Sequence, residues 1–138
     1  MTVTEGRTAV SGDAAQLPTL NRFLQEFWSA ANLPPAQALH FELALEEVFM
    51  NIVVHGRGRT AAVAVSLALG ANGLTMTVED DGPQFDPLQL PPPDLEARLA
   101  QRPIGGLGVF LVRQVMDTVS YQRAGALNRL TMTKSLAG

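Results

Sequence analysis

The sequence predicts an α/β two-layer sandwich: a mixed, mostly antiparallel sheet with helices packed on one face, in a single domain over residues 1–138. Three observations predict it. Segments with two-residue alternation and segments with helical periodicity follow one another as strand, two helices, two strands, long loop, helix, two strands. The strand pairs are joined by connections short enough for hairpins. At 138 residues, 46% hydrophobic and 17% charged, the chain can bury roughly two thirds of its unfolded surface without a staple. Cysteine is absent, which excludes a disulfide framework and thiol chemistry.

The elements are justified in chain order. "MTVTEGRTAV" reads as a first strand. "DAAQLPTLNRFLQEFWSAAN" places Leu17, Leu20, Leu24, Phe27 and Ala31 on one helical face. "LPP" interrupts, and a second helix runs from about Pro35, with Gly56 as its stop just past the last turn. "TAAVAVSLALG" alternates, with Val63, Val65, Leu67 and Leu69 on one face. "ANG" makes a turn into "LTMTVED", whose Leu74, Met76 and Val78 face the core. Asp80 has the same parity, so this face ends in a carboxylate.

Six of the nine prolines lie between Pro83 and Pro103. No strand runs through such a stretch, and a connection this long in a small domain is usually functional or mobile. "DLEARLAQ" within it could form a short helix. "GGLGVFLVRQVMDTV" opens with glycines and continues as a helix with Val109, Val112, Val115, Met116 and Val119 inward. "SYQRA", a turn at Gly125 and "LNRLTMTKSL" close the chain as a strand pair, with Leu130 and Met132 pointing in. No internal repeat is visible.

The net charge of −3 offers no broad basic field for nucleic acid. No apolar run reaches the roughly 18 residues of a membrane span. The first residues lack the charged start and apolar core of a secretory signal. The expectation is a soluble cytoplasmic protein with no direct nucleic-acid or membrane partner.

Three polar features stand out. In "EEVFMNIVVHG", Glu47, Asn51 and His55 follow one another at spacings of four and share one row of the helix. The plain reading of that row is a solvated helix edge, where Glu42 and Glu46 lie. A carboxylate one turn from an amide can also do chemistry: the carboxylate takes a proton, and the amide oxygen suits Mg²⁺ beside phosphate oxygens. In "VEDDGPQFDP", Asp80 and Gly82 make either an ordinary Asp-Gly turn or, by strand parity, an inward acceptor for an amino group such as that of adenine. Gly82 would let a flat ring approach the backbone. In "GGLGVF", Gly105, Gly106 and Gly108 are either a hinge or a glycine-opened helix start suited to phosphate. Neither a P-loop nor a dinucleotide fingerprint fits this run.

Together, "EEVFMN…DDG…GGLG" resembles the ATP-binding domain of the GHKL superfamily (gyrase, heat-shock chaperone, histidine kinase, MutL). The chain is similar over nearly its whole length to anti-sigma factor serine/threonine kinases of the RsbW and SpoIIAB type. Glu47, Asn51, His55 and Gly56 match the family's E-A-x-x-N-A-x-x-H-G segment, Asp80 and Gly82 its D-x-G box, and "GGLGVFLV" its G-G-x-G-x-x-L-[IV] box. "LTMTK" resembles its final strand. The resemblance implies a Bergerat-type ATP-binding fold with a mobile lid over about residues 83–105.

It further implies the following roles. Glu47 is the general base, and Asn51 binds the Mg²⁺ that bridges the ATP phosphates. Asp80 accepts from the adenine amino group, with Gly82 beside the ring. Gly105, Gly106, Leu107 and Gly108 form the end of the lid, and Arg102 reaches a phosphate on closure. His55 has no catalytic role in this scheme and is expected to cap or fix the helix end. Implied partners are an anti-sigma-factor antagonist of the STAS type, whose serine or threonine is phosphorylated, a sequestered sigma factor, and a second copy in a homodimer. Alternatives are an ATP-dependent partner switch with little kinase activity, and a stand-alone catalytic domain of a histidine kinase. The sequence departs from the family at Gln84, where a glycine is usual. It also departs before the last strand, where "GALNRL" with Asn128 replaces the usual Gly-Thr and leaves a phosphate contact at that end unsupported.

Overall fold

The computed structural model describes residues 3–89 and 107–136. Among the described residues, five strands and three α-helices form two layers. The strands are β1 (Glu5–Val10), β2 (Val63–Gly70), β3 (Gly73–Asp80), β4 (Thr118–Ala124) and β5 (Leu127–Lys134); the helices are α1 (Leu17–Ala30), α2 (Ala38–Gly56) and α3 (Leu107–Val115). The sheet order is β1-β2-β3-β5-β4. Among the described residues every pairing is antiparallel, where the sequence reading allowed a mixed, mostly antiparallel sheet.

Alternation puts Val63, Val65 and Leu67 of β2, Leu74, Met76 and Val78 of β3, and Leu130 and Met132 of β5 against the helices, all buried. They meet Leu20, Leu24 and Phe27 of α1, Phe41, Leu45 and Phe49 of α2, and Val112 of α3. Each large apolar side chain buried there contributes about 1.5–3 kcal/mol. Trp28 joins this core as well, because its indole Nε1 donates to Pro34 O at 2.9 Å and so has a polar partner.

The helices differ in detail from the sequence reading. Asp13 accepts from Ala15 N and caps a single 3-10 turn, Ala14–Gln16, before α1 begins. A second such turn, Pro35–Gln37, precedes α2. Gly56 is the last residue of α2 and does not lie beyond it; Arg57 takes the left-handed position at φ 50°. The reason for glycine at 56 is steric, because a Cβ there would run into the Thr60 hydroxyl.

The third helix ends at Val115 and does not reach Val119, which belongs to β4 and pairs with Met132. The stop is tertiary. Lys134 Nζ donates to Val115 O at 2.7 Å and caps the helix end. Asp117 N donates to Thr133 O at 2.9 Å, and the Asp117 carboxylate accepts from Ser135 N at 2.7 Å. Buried Met116 extends the apolar stripe of α3 past its last turn, so periodicity does not reveal the stop.

Candidate functional site

The middle of α2, the end of β3, the start of β5 and the segment after β3 surround one pocket. Asn51, His55 and Gly56 line it from α2, Asp80 from β3, Tyr121 and Asn128 from the β4–β5 pair, and Pro83 and Phe85 from the segment after β3. The structure thus gathers Asn51 and His55 of the α2 row, the end of β3, and the first residues of the predicted lid; Glu47 of the same row does not line the pocket.

Asn51 is buried, yet neither its Oδ1 nor its Nδ2 has a hydrogen-bond partner. A buried amide with both polar atoms unmet is costly, by about 1–3 kcal/mol for each group. Such a side chain is poised for something outside the protein. Among the described residues no three His, Cys, Asp or Glu side chains gather into a metal site. A cation at Asn51 would therefore need most of its oxygens from a ligand. That suits Mg²⁺ carried by a polyphosphate and fits a single amide ligand.

One turn earlier, Glu47 is half-buried while Glu46 is exposed, so the spacing separates the two adjacent glutamates. Burial, followed by the Glu46 charge, pushes the Glu47 carboxyl above the usual carboxylate range. Its Oε2 lies against Gly108 in the first turn of α3, where any added Cβ would collide with it. Glycine at 108 therefore has a steric reason: it leaves room for the carboxylate.

At the other end of the pocket sits Asp80, buried at the end of β3 as parity requires. Its Oδ1 accepts from Gly82 N at 2.9 Å and from Asn128 Nδ2 at 3.0 Å. Burial is the largest influence on the Asp80 carboxyl and raises it; these two hydrogen bonds work in the opposite direction and do not cancel it. Among the described residues no donor reaches Oδ2, which leaves that oxygen for a ligand.

Asn128 replaces the residue type expected before the last strand, and its place is beside Asp80. Besides Asp80 it donates to Pro83 O at 2.9 Å, while its Oδ1 accepts from Phe85 N, Tyr121 Oη and Arg123 Nη1 at 3.2, 2.6 and 3.1 Å. Three donors on one side and two acceptors on the other fix the amide orientation. Asn128 shares parity with buried Leu130 and Met132, and that was the available signal for its inward position.

Holding Phe85 by its backbone has a consequence for His55. The two rings stack with centroids 4.1 Å apart and 18° between planes. His55 therefore acts by ring stacking, with no helix-capping hydrogen bond from its imidazole among the described residues. Burial and, second, the Arg57 charge hold the imidazole below its ordinary value. Gln84 is exposed.

Like Phe85, Tyr121 and Arg123, two more residues were not singled out from the sequence. Asp81 Oδ1 accepts from Ala61 N and Ala62 N at 2.8 and 3.0 Å and ties the chain entering β2 to the end of β3. Thr60, just before those amides, is buried with its hydroxyl unpartnered. Gly82, expected to make room for a flat ring, is crowded by Thr60 Oγ1 and Asp80 Oδ1. Arg102, Gly105, Gly106, and the short helix expected at 94–101 lie outside the described residues. Leu107 opens α3. No helix among the described residues is long and apolar enough to cross a membrane.

Comparison with known proteins agrees with this architecture. The histidine kinase-like ATPase domain matches residues 10–134. The serine/threonine-protein kinase BtrW of Bordetella bronchiseptica is 34% identical over 118 residues, covering 83% of this chain and 78% of BtrW. The crystal structure of the RsbU and RsbW domains of Rv1364c from Mycobacterium tuberculosis superposes with a TM-score of 0.69 at 14% identity, covering 97% of this chain and 33% of that one. This chain thus spans about a third of that solved protein. The histidine kinase AdeS of Acinetobacter baumannii gives a TM-score of 0.51 at 15% identity, over 96% of this chain and 68% of that one. At such identities the two structures bear on the fold alone. The chain belongs to the histidine kinase-like ATPase domain family, and ATP is the ligand that this membership implies.

Proposed function

We propose that this protein is an ATP-dependent serine/threonine kinase that phosphorylates a regulatory partner, an anti-sigma-factor antagonist of the STAS type, and that it alternates this with holding a sigma factor. The observation that carries the reading is Asn51, a buried amide with both polar atoms unmet, one turn from a half-buried carboxylate and in the same pocket as Asp80. The kinase name of BtrW, a relative at 34% identity, supports the same reaction class.

In this reading the base sits at the Asp80 end and the phosphates at the Asn51 end. Asp80 Oδ2 accepts from the adenine amino group. The Asn51 Oδ1 would hold Mg²⁺, which when bound neutralises phosphate charge. Phosphoryl transfer needs alignment and charge stabilisation more than covalent help from the protein. Gly105, Gly106, Leu107 and Gly108 would close over the triphosphate with Arg102. Glu47, made more basic by burial, would take the proton from the acceptor hydroxyl as the phosphoryl group arrives. The added charge on the acceptor would then weaken its contact with the kinase and free it for the sigma factor. Homodimerisation belongs to the same proposal.

The test is incubation with labelled ATP, Mg²⁺ and the candidate antagonist. Label on a serine or threonine of the antagonist supports the kinase. ATP binding with no transfer to any antagonist would instead favour a partner switch that works by sequestration.

A further inference from the structure

β1 is an edge strand: in the order β1-β2-β3-β5-β4 it pairs with β2 alone. An uncovered edge presents a row of free N–H and C=O groups and invites another strand. β1 contains no proline, and its register with β2 runs without a bulge.

Which groups face outward follows from one bond. Leu69 N donates to Thr4 O at 2.7 Å. Residues bonded to a neighbouring strand alternate along an antiparallel ladder, so Thr4, Gly6, Thr8 and Val10 turn their backbone groups toward β2. Glu5, Arg7 and Ala9 turn theirs toward the open edge. The side chains of these three are exposed, on the sheet face opposite to the one where Phe23 and Phe27 approach Gly6. Their neighbours on β2 are Ala68, Ser66 and Ala64, which offer neither charge a partner. Among the described residues neither Glu5 nor Arg7 enters an ion pair.

The strand that fits this edge is a second copy of β1. Two identical strands related by a two-fold axis pair antiparallel, each with the same surface. The hydrogen-bonded pairs must join outward-facing residues, which leaves few registers. Centring the pair on Arg7 sets Arg7 against Arg7, and centring it on Glu5 sets Glu5 against Glu5. Centring it on Thr8 sets Glu5 against Ser11, beyond the end of β1. Centring it on Gly6 sets Glu5 against Arg7 on both sides of the axis, and Val3, 37% exposed, against Ala9. Opposite charges directly across a strand pair are favourable, and like charges are unfavourable.

Gly6 then faces its own copy as a non-hydrogen-bonded pair, the kind in which strands come closest, about 4.5 Å between Cα atoms. On the helix face the half-buried Phe23 ring lies 3.5 Å from where a Cβ on Gly6 would stand, so two such rings would flank the axis. β4, the other edge, selects no register in this way, because Thr118, Ser120 and Gln122 on its open face are uncharged.

We infer that β1 is a homodimer interface, in which two copies pair antiparallel about Gly6 with reciprocal Glu5–Arg7 ion pairs and join their sheets into one. The pairs Val3–Ala9 and Glu5–Arg7, each made twice, exchange two backbone bonds apiece, close to the roughly ten hydrogen bonds of a typical interface. The inference rests on the homodimer included in the proposal above and not on its nucleotide chemistry.

The experiment measures oligomeric state by sedimentation equilibrium for the wild type, Glu5→Lys, Arg7→Glu and the double variant that carries both changes. Each single variant sets like charges against each other on both sides of the axis, and its dimer should dissociate at least about tenfold more readily. The double variant exchanges the two charges and should dimerise as the wild type does. A one-to-one mixture of the single variants should also dimerise, because each meets the opposite charge in the other. ATP binding should be the same in all of them, since Glu5 and Arg7 lie outside the pocket, and this separates a lost dimer from a damaged fold. Single variants that dimerise like the wild type overturn this interface and leave the homodimer to another surface. So do lost dimers that neither mixing nor the double exchange restores. A monomeric wild type overturns the interface and the proposed homodimer together. Absence of phosphoryl transfer, with the charge exchange behaving as expected, would count against the kinase reading alone.

Discussion

Asn128 Nδ2 donates to Asp80 Oδ1 across the β3–β5 pair at 3.0 Å, and Asp80 and Asn128 are register partners in the sheet. The bond couples the carboxylate proposed to bind the base with the segment that follows β3, because the same amide holds Pro83 O and Phe85 N. Asn128→Ala would leave Asp80, Tyr121 and Phe85 each short of a partner. We expect a loss of about 2–3 kcal/mol in urea unfolding, with weaker ATP binding. An unfolding midpoint equal to that of the wild type would show that water replaces the amide at no cost.

Asn51 should show the opposite sign. Replacing a buried amide that has no partner by Leu removes a desolvation cost of about 1–3 kcal/mol. Ligand-free Asn51→Leu is therefore expected to unfold at a higher temperature than the wild type. Its Mg²⁺-dependent ATP binding should be lost. Calorimetry of both forms checks the two halves separately; retained metal-dependent binding would exclude Asn51 as the ligand.

Glu47 gives a pH prediction. Its folded-state pKa lies above the ordinary carboxylate value, chiefly through burial. Ionising it therefore costs more in the folded protein than in the unfolded chain. Its contribution to stability falls as pH rises from the ordinary value through the raised one, and stays low above it. Glu47→Gln removes that penalty. The gap in melting temperature between variant and wild type should widen in favour of the variant across that window. Phosphoryl transfer by the variant should drop at least about a hundredfold, the usual worth of a positioned base, with ATP still bound. Transfer at the wild-type rate would exclude Glu47 as the base.

Gly108→Ala tests the contact between α3 and Glu47. An added methyl collides with the end of a flexible carboxylate, so the fold should accommodate it with a small change in melting temperature. The carboxylate must turn aside, and transfer should fall about tenfold or more while ATP affinity changes less, since small misplacements of a reacting group are expensive. An unchanged transfer rate would mean that the Glu47 position seen against Gly108 is not the working one.

The outline of the fold was legible in the sequence because two-residue alternation and helical stripes are local signals. Val63, Val65 and Leu67, then Leu74, Met76 and Val78, showed both strands and their buried faces. The same parity placed Asp80 inward, and the spacing from Asn51 separated Glu47 from Glu46. The end of α3 was not legible. Its stripe runs on to Met116, and the stop depends on Lys134 and Asp117 meeting partners distant in the chain.

What the sequence by itself determined is the set of chemical groups and the face of each element that carries them. Periodicity is written residue by residue, so Glu47, Asn51 and Asp80 could be assigned to faces without knowing their neighbours. Only the tertiary structure decided how those groups are completed. Asn128 reaches Asp80 over 48 positions of chain, Phe85 is carried onto His55, and Thr60 is pressed among glycines from three separate segments. These relationships depend on strand register and on close backbone approach, and both are set by packing the whole sheet against its helices.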